Sequence, residues 1–179
     1  TGYDLLFNGK VYSTDLCTQR INGLTAGTNY NYAVRSKNSG GISAYGPTKT
    51  VVTIPAQPAN VSVSAKIDSV TVSWGAVKGA VSYDLKFNNV IYNTTGTSRT
   101  ITGLKEGTGY GYCVCAKNGS GSGQYTALRT AWTSVRPPAA PTGVKAVATH
   151  NSVKVSWNAS AGATGYDLLF NNKLYGGTG

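Results

Sequence analysis

The chain has 179 residues, with 16 Lys and Arg against 6 Asp and Glu, a net charge of +10 and only 12% charged residues. No apolar run reaches the roughly 18 residues of a membrane-crossing helix, and a 40% hydrophobic content with 12 Tyr, 3 Trp and 3 Phe excludes a disordered chain. Thr, Val, Tyr and Gly are abundant and Glu is nearly absent, a composition of strands rather than helices, while one His, six acids and 3 Cys leave little material for catalysis.

Self-comparison organises the chain. Thr-Gly-Tyr-Asp-Leu-Leu-Phe-Asn occurs at 1–8 and again at 164–171, with a variant from Val81 to Asn88. An offset of 80 residues carries Tyr3 to Tyr83, Leu24 to Leu104, Tyr30 to Tyr110 and Tyr45 to Tyr125. A second offset of 83 carries Pro58 to Pro141, Trp74 to Trp157 and Tyr83 to Tyr166. The three extra residues fall in a Pro-rich stretch before Pro141, where a stiff linker tolerates insertion. The repeat is thus about 80 residues long, and it divides the chain into 1–54, 55–137 and 138–179.

In the complete middle repeat, apolar residues recur at period two, the mark of half-buried strands. The predicted strands run Val61 to Ala65, Val70 to Trp74, Tyr83 to Phe87, Val90 to Tyr92, Arg99 to Thr102, Tyr110 to Ala116 and Gln124 to Thr133. Turn residues separate them at Gly79, Asn88-Asn89, Gly96, Glu106-Gly107 and Asn118 to Gly121. By the same pattern, Tyr110, Tyr112, Val114 and Ala116 share an inward face, and Cys113 and Cys115 point outward.

Several of these residues carry a family likeness. A Pro opens the unit (Pro58, Pro141), a Trp lies on its second strand (Trp74, Trp157), and Tyr-x-Leu-x-Phe starts at Tyr3, Tyr83 and Tyr166. Then come Leu104-x-x-Gly107-Thr108-x-Tyr110 and Leu24-x-x-Gly27-Thr28-x-Tyr30, each followed by a strand ending in Lys-Asn (Lys117-Asn118, Lys37-Asn38). The unit resembles a fibronectin type III domain, and its wording is similar to the tandem domains of secreted or surface bacterial proteins. The resemblance implies an all-β, immunoglobulin-like, seven-stranded sandwich, with strands A, B and E facing C, C′, F and G. It also implies that the Leu…Tyr element is a tyrosine corner, a buried hydroxyl bonded to nearby backbone. On this reading residues 1–54 supply strands C to G of one domain, 55–137 a complete domain, and 138–179 strands A to C′ of another. Each partial unit would expose the inner face of a half-sandwich. Continuation of the array is the favoured resolution; in a head-to-tail exchange between molecules one of the two copies of strand C would be displaced.

No residue is assigned a catalytic, cofactor-binding or metal-binding role, and no cofactor is expected. All aromatics except Trp132 fall in repeat columns, so packing explains them better than a sugar-binding stripe through Tyr12, Tyr92 and Tyr175. The net charge divides into +3, +5 and +2 over 1–54, 55–137 and 138–179, with no adjacent basic pair, which argues against nucleic acid. It is compatible with loose attraction to anionic cell-wall polymers. Cys17, Cys113 and Cys115 occupy no repeated column, so a framework disulfide is not expected, and an odd count leaves a thiol free or paired between molecules. His150 has no partners for a triad. Asp4, Asp84 and Asp167 repeat on the outward face as expected cross-strand charge partners. Glu106 is a turn residue, and the Arg-Gly-Asp loop of some family members is replaced by Asn38-Ser39-Gly40-Gly41 and Asn118-Gly119-Ser120-Gly121. Asn60, Asn93, Asn118 and Asn158 are glycosylation sequons only in a eukaryotic secretory pathway.

The expected function is a non-enzymatic spacer array in a secreted or cell-surface protein, able to build an extracellular filament. The alternatives are an adhesion or carbohydrate-binding array, or accessory domains of a secreted polysaccharide-degrading enzyme. The expected partners are other copies or neighbouring repeats and cell-wall or extracellular polysaccharide, with no nucleic acid and no membrane insertion.

Overall fold

The computed structural model describes residues 1–177, and among them every regular element is a strand. The chain separates into two compact units, Thr1–Ser134 and Val135–Gly179.

The middle repeat is a closed two-sheet sandwich. One sheet contains β6 (Ser62–Ala65), β7 (Ser69–Ser73) and β10 (Ser98–Thr102) in the order β10-β7-β6. The other contains β8 (Ser82–Phe87), β9 (Val90–Thr94), β11 (Gly109–Asn118), β12 (Gly121–Ser122) and β13 (Arg129–Trp132). Its order is β12-β11-β8-β9, with β13 also on β11. All pairings are antiparallel. This is the A-B-E and C′-C-F-G arrangement of the expected all-β sandwich.

The period-two pattern explains the core. Val70 and Val72 from β7, with Trp74 just beyond it, meet Tyr83, Leu85 and Phe87 of β8 and Tyr112, Val114 and Ala116 of β11. The Trp74 and Tyr83 rings lie 5.5 Å apart and tilted. Asn88 and Asn89, both at positive φ (46° and 66°), make the two-residue turn that joins β8 to β9 with the strands' own twist.

The closing strand differs from expectation. Instead of one run from 124 to 133 it is two pieces. Ser122 stands opposite Lys117 and Arg129 opposite Tyr112, so seven steps on this strand answer five on β11. The two extra residues form bulges. The backbone stays stitched through Gly123 N to Ala116 O and Thr126 N to Val114 O, both 2.8 Å.

Residues 1–54 form one five-stranded sheet from β1 (Gly2–Phe7), β2 (Lys10–Thr14), β3 (Asn29–Asn38), β4 (Gly41–Ile42) and β5 (Lys49–Val52). The same bulged closing strand recurs, with Ser43 N on Ser36 O and Gly46 N on Val34 O. Strand E, expected here among strands C to G, is absent: residues 18–22 are not in a strand. In the middle module that strand pairs only with β7, and 1–54 holds no counterpart of β7. The inner face instead opens onto a cavity of about 530 Å³ whose lining includes Tyr3, Leu5, Phe7, Tyr32, Val34 and Val51.

The second unit, taken alone, has two hairpins: β14 (Thr142–Ala148) with β15 (Val153–Asn158), and β16 (Tyr166–Phe170) with β17 (Lys173–Gly177). Trp157 and Tyr166 repeat the tilted ring pair at 5.5 Å.

Leu85 is fully buried, whereas its repeat partner Leu5 lines the open cavity. Leu85→Ala is expected to destabilise the middle module by about 3 kcal/mol. Leu5→Ala is expected to cost the first module less than about 1 kcal/mol, because its side chain forfeits few packed neighbours. Urea unfolding read by module-resolved amide NMR signals separates the two.

Candidate functional site

The most constructed feature of the first two modules is the corner that leads into their longest strand, β3 in the first and β11 in the second. The Tyr110 hydroxyl accepts the Lys105 N–H at 2.9 Å, and the Thr133 hydroxyl donates to the Lys105 carbonyl at 2.7 Å. The same Thr133 oxygen accepts the Thr108 N–H at 3.0 Å. One residue is therefore held from both sides by two hydroxyls. The first module repeats the device, with Tyr30 Oη on Thr25 N (2.9 Å) and Thr53 Oγ1 on Thr25 O (2.7 Å) and Thr28 N (3.0 Å). Tyr30 and Tyr110 were legible as a tyrosine corner. Thr53 and Thr133 were not singled out, although they form a column of their own; the signal was a threonine kept at the end of the closing strand.

A second device sits on the outer face. Asp4 receives Lys37 Nζ at 2.8 Å, Ser13 Oγ at 2.6 Å and Arg35 Nε at 3.0 Å. The Lys37 ammonium and the Ser13 hydroxyl, with Arg35 beside them, hold its carboxyl well below the usual carboxylate range. Asp84 receives Lys117 Nζ and Asn93 Nδ2, each at 2.9 Å. Burial pushes the Asp84 carboxyl up, and the bonds from Asn93 and Lys117 more than offset it, leaving a net lowering. Asp4 and Asp84 are thus the cross-strand charge partners expected. Asp167 has no corresponding ion pair among the described residues.

The two cysteines of β11 face outward as expected but are not exposed. Cys113 and Cys115 do point away from the Trp74 cluster, but they are only 8% and 0% exposed. The bulged closing strand brings Tyr125 against Cys115, as Tyr45 covers Arg35 at the equivalent place in the first module with the guanidinium 4.5 Å from the ring centre. Burial pushes both thiols up, and burial with the Cys115 contact pushes the Tyr125 hydroxyl up to about 12. Neither thiol is accessible for pairing between molecules. Cys17 is exposed, and its thiol donates to the Tyr3 hydroxyl at 3.6 Å.

Several of the aromatic columns are taken up by one another or by cations. Phe7 stacks on Tyr30 at 5.3 Å and Phe87 on Tyr110 at 5.4 Å. Tyr12, Tyr92 and Tyr175 each lie under a cation: Lys10 at 5.1 Å, Arg99 at 5.6 Å and Lys173 at 5.3 Å. Trp132, expected to pack in its strand, is 66% exposed; its ring lies across the backbone of Gly109, which has no side chain to hold it lower. His150 is exposed in the β14–β15 turn, and Glu106 is exposed in its own turn. The side-chain nitrogens of Asn93, Asn118 and Asn158 all donate hydrogen bonds within the protein.

Sandwich, corner and closing strand together define an immunoglobulin-like β-sandwich module. Residues 56–131 match the family model of the fibronectin type III domain, and the middle module belongs to that family. It is 33% identical to exoglucanase B of Cellulomonas fimi over 94% of this chain and 18% of that protein. It is 34% identical to chitinase A1 of Niallia circulans over 68% of this chain and 20% of that protein. The chain therefore spans about a fifth of the length of these relatives. Among solved structures, a two-domain fibronectin type III segment of chicken tenascin is similar over 74% of this chain and 85% of that one, with 22% identity and a TM-score of 0.48.

Asp84→Asn is expected to lower stability at pH 7 by about 0.5–1 kcal/mol, a pair of this exposure being screened by water. The Asp84 pKa is depressed on folding, so its contribution is complete above the unfolded value near 4 and is lost as pH falls through the folded value. Denaturant titrations of wild type and variant should therefore diverge at pH 7, begin to approach one another only below about pH 4, and converge once the pH falls below the folded value.

Proposed function

We propose that this chain is a non-catalytic spacer segment of an extracellular or cell-surface protein built from fibronectin type III modules. The observation that carries the reading is how the side chains best suited to contact a ligand are used. Phe7 pairs with Tyr30, Trp74 with Tyr83, Phe87 with Tyr110 and Trp157 with Tyr166, the column of Tyr12, Tyr92 and Tyr175 lies under Lys and Arg of the same chain, and Asp4 and Asp84 are neutralised by Lys and Arg of their own sheets.

A second reading has its own support. Exoglucanase B and chitinase A1 are, by name, enzymes acting on polysaccharide, and each is similar to this chain over a small part of its length. In that case the modules separate a catalytic domain from another part of the same enzyme. Both readings assign this segment the same mechanical task.

Co-sedimentation with microcrystalline cellulose and with chitin tests the spacer reading. The 179-residue chain is expected to remain in the supernatant like a non-binding control protein. Saturable retention on either polymer, abolished by Tyr92→Ala or Trp132→Ala, would replace the spacer with a carbohydrate-binding array.

A further inference from the structure

The junction between the first two modules carries bonds that neither sandwich requires. Asn118, at the end of β11, accepts the Ser120 N–H through Oδ1 at 2.9 Å, which turns its Nδ2 onto the Thr53 carbonyl, also at 2.9 Å. Ser120 Oγ donates to the Val52 carbonyl at 2.5 Å. From the linker, Gln57 Nε2 donates to the Tyr125 carbonyl at 2.6 Å. Gly123 lies so close to the linker that a Cβ there would stand 2.5 Å from the Pro55 carbonyl oxygen.

A separate contact joins the two modules away from the linker. Gly27, at φ 58°, and Gly79, at φ 71°, meet backbone to backbone. A Cβ on Gly27 would overlap the Lys78 carbonyl, and one on Gly79 would overlap the Gly27 carbonyl and stand 2.6 Å from its Cα. Gly27 belongs to the corner of the first module, where its N–H also binds the Ile54 carbonyl at 3.0 Å. One contact on the linker and one beside it oppose both bending and twisting, whereas a plain linker between domains leaves them free to move.

We infer that the β11–β12 loop together with the Gly79 turn is a socket for the end of the preceding module, and that it holds two consecutive modules at one fixed angle. The partner recognised is chemically defined. It is the last two carbonyls of a closing strand, Val52 and Thr53, presented by a corner whose turn residue is glycine. Thr53 suits the task because its N–H and hydroxyl are already committed to its own corner, which leaves its carbonyl aimed outward. The first module carries the same loop. Asn38 Oδ1 accepts the Gly40 N–H at 2.9 Å, and Gly41 shares the φ of 137° found at Gly121. The Asn38 loop thus has the shape of the socket's loop, with Gly40 where Ser120 supplies a hydroxyl.

The significance of a fixed angle rests on the spacer reading, but its test does not. Spin labels on the exposed Cys17 and on Thr95→Cys report the distance between the two modules in the full chain, the buried Cys113 and Cys115 staying unlabelled. Electron–electron resonance should give one narrow distance distribution. The double variant Asn118→Ala/Ser120→Gly should broaden it at least twofold, and Gly79→Ala should shift its mean. If Asn118→Ala unfolds the middle module, Ser120→Gly with Gln57→Ala carries the same test, since the exposed Ser120 side chain bonds only across the joint and the exposed Gln57 side chain only ties the linker down. A broad wild-type distribution, or an unchanged width in the folded variants, would overturn the inference while leaving the polysaccharide experiment to judge the spacer reading on its own.

Discussion

A β-sheet with one apolar face has to bury that face, and this single requirement explains what is regular and what is irregular in the chain. In the middle module β7 lies across β8 and β11, and Val70, Val72 and Trp74 close the face. In residues 1–54 the sheet built on the same sequence pattern forms with the same pairings, but the face stays open on a cavity of about 530 Å³. The loss of one strand there follows from the same cause. Residues 18–22 have the sequence column of β10 and no β7 to bond, so their backbone forms no ladder.

The modules are joined by the same elements that close them. Thr53 pins the first module's corner with its hydroxyl and N–H and gives its carbonyl to Asn118 of the next. Gly27 accepts close backbone approach at the corner because it needs no room for a Cβ. The end of one sandwich and the beginning of the joint are therefore one piece of structure. Such coupling suits a chain whose parts must keep their spacing, and it uses polar backbone contacts rather than a large apolar interface.

Much of this was legible in the sequence, because repetition turns a single chain into its own comparison. The columns of Trp74, Tyr83, Leu85 and Tyr110 gave strands, inward faces and the tyrosine corner, and the like placement of Asp4 and Asp84 gave their cross-strand pairing. What escaped depends on contacts distant in sequence. The bulges of the closing strand leave no period of their own, so nothing in the pattern brings Tyr125 against Cys115. Alternation told which way Cys113 and Cys115 point, and only the fold tells what lies over them. Asn118 and Ser120 read as turn residues, which they are; their bonds to Thr53 and Val52 appear only when the second module is placed beside the first. Trp132 read as a packed strand residue because its neighbours pack, but Gly109 beneath it offers a flat backbone instead of a pocket.

Amide hydrogen exchange on the dilute chain tests the central claim most directly, since it reports strand by strand whether a sheet is covered. Amides of β7, β8 and β11 around Val72, Leu85 and Val114 are expected to exchange only by global unfolding of the middle module, while those around Leu5 and Val34 in β1 and β3 exchange at least about tenfold faster. Equal protection of the two sheets in a monomer would contradict it, because the open face would then cost the first module nothing.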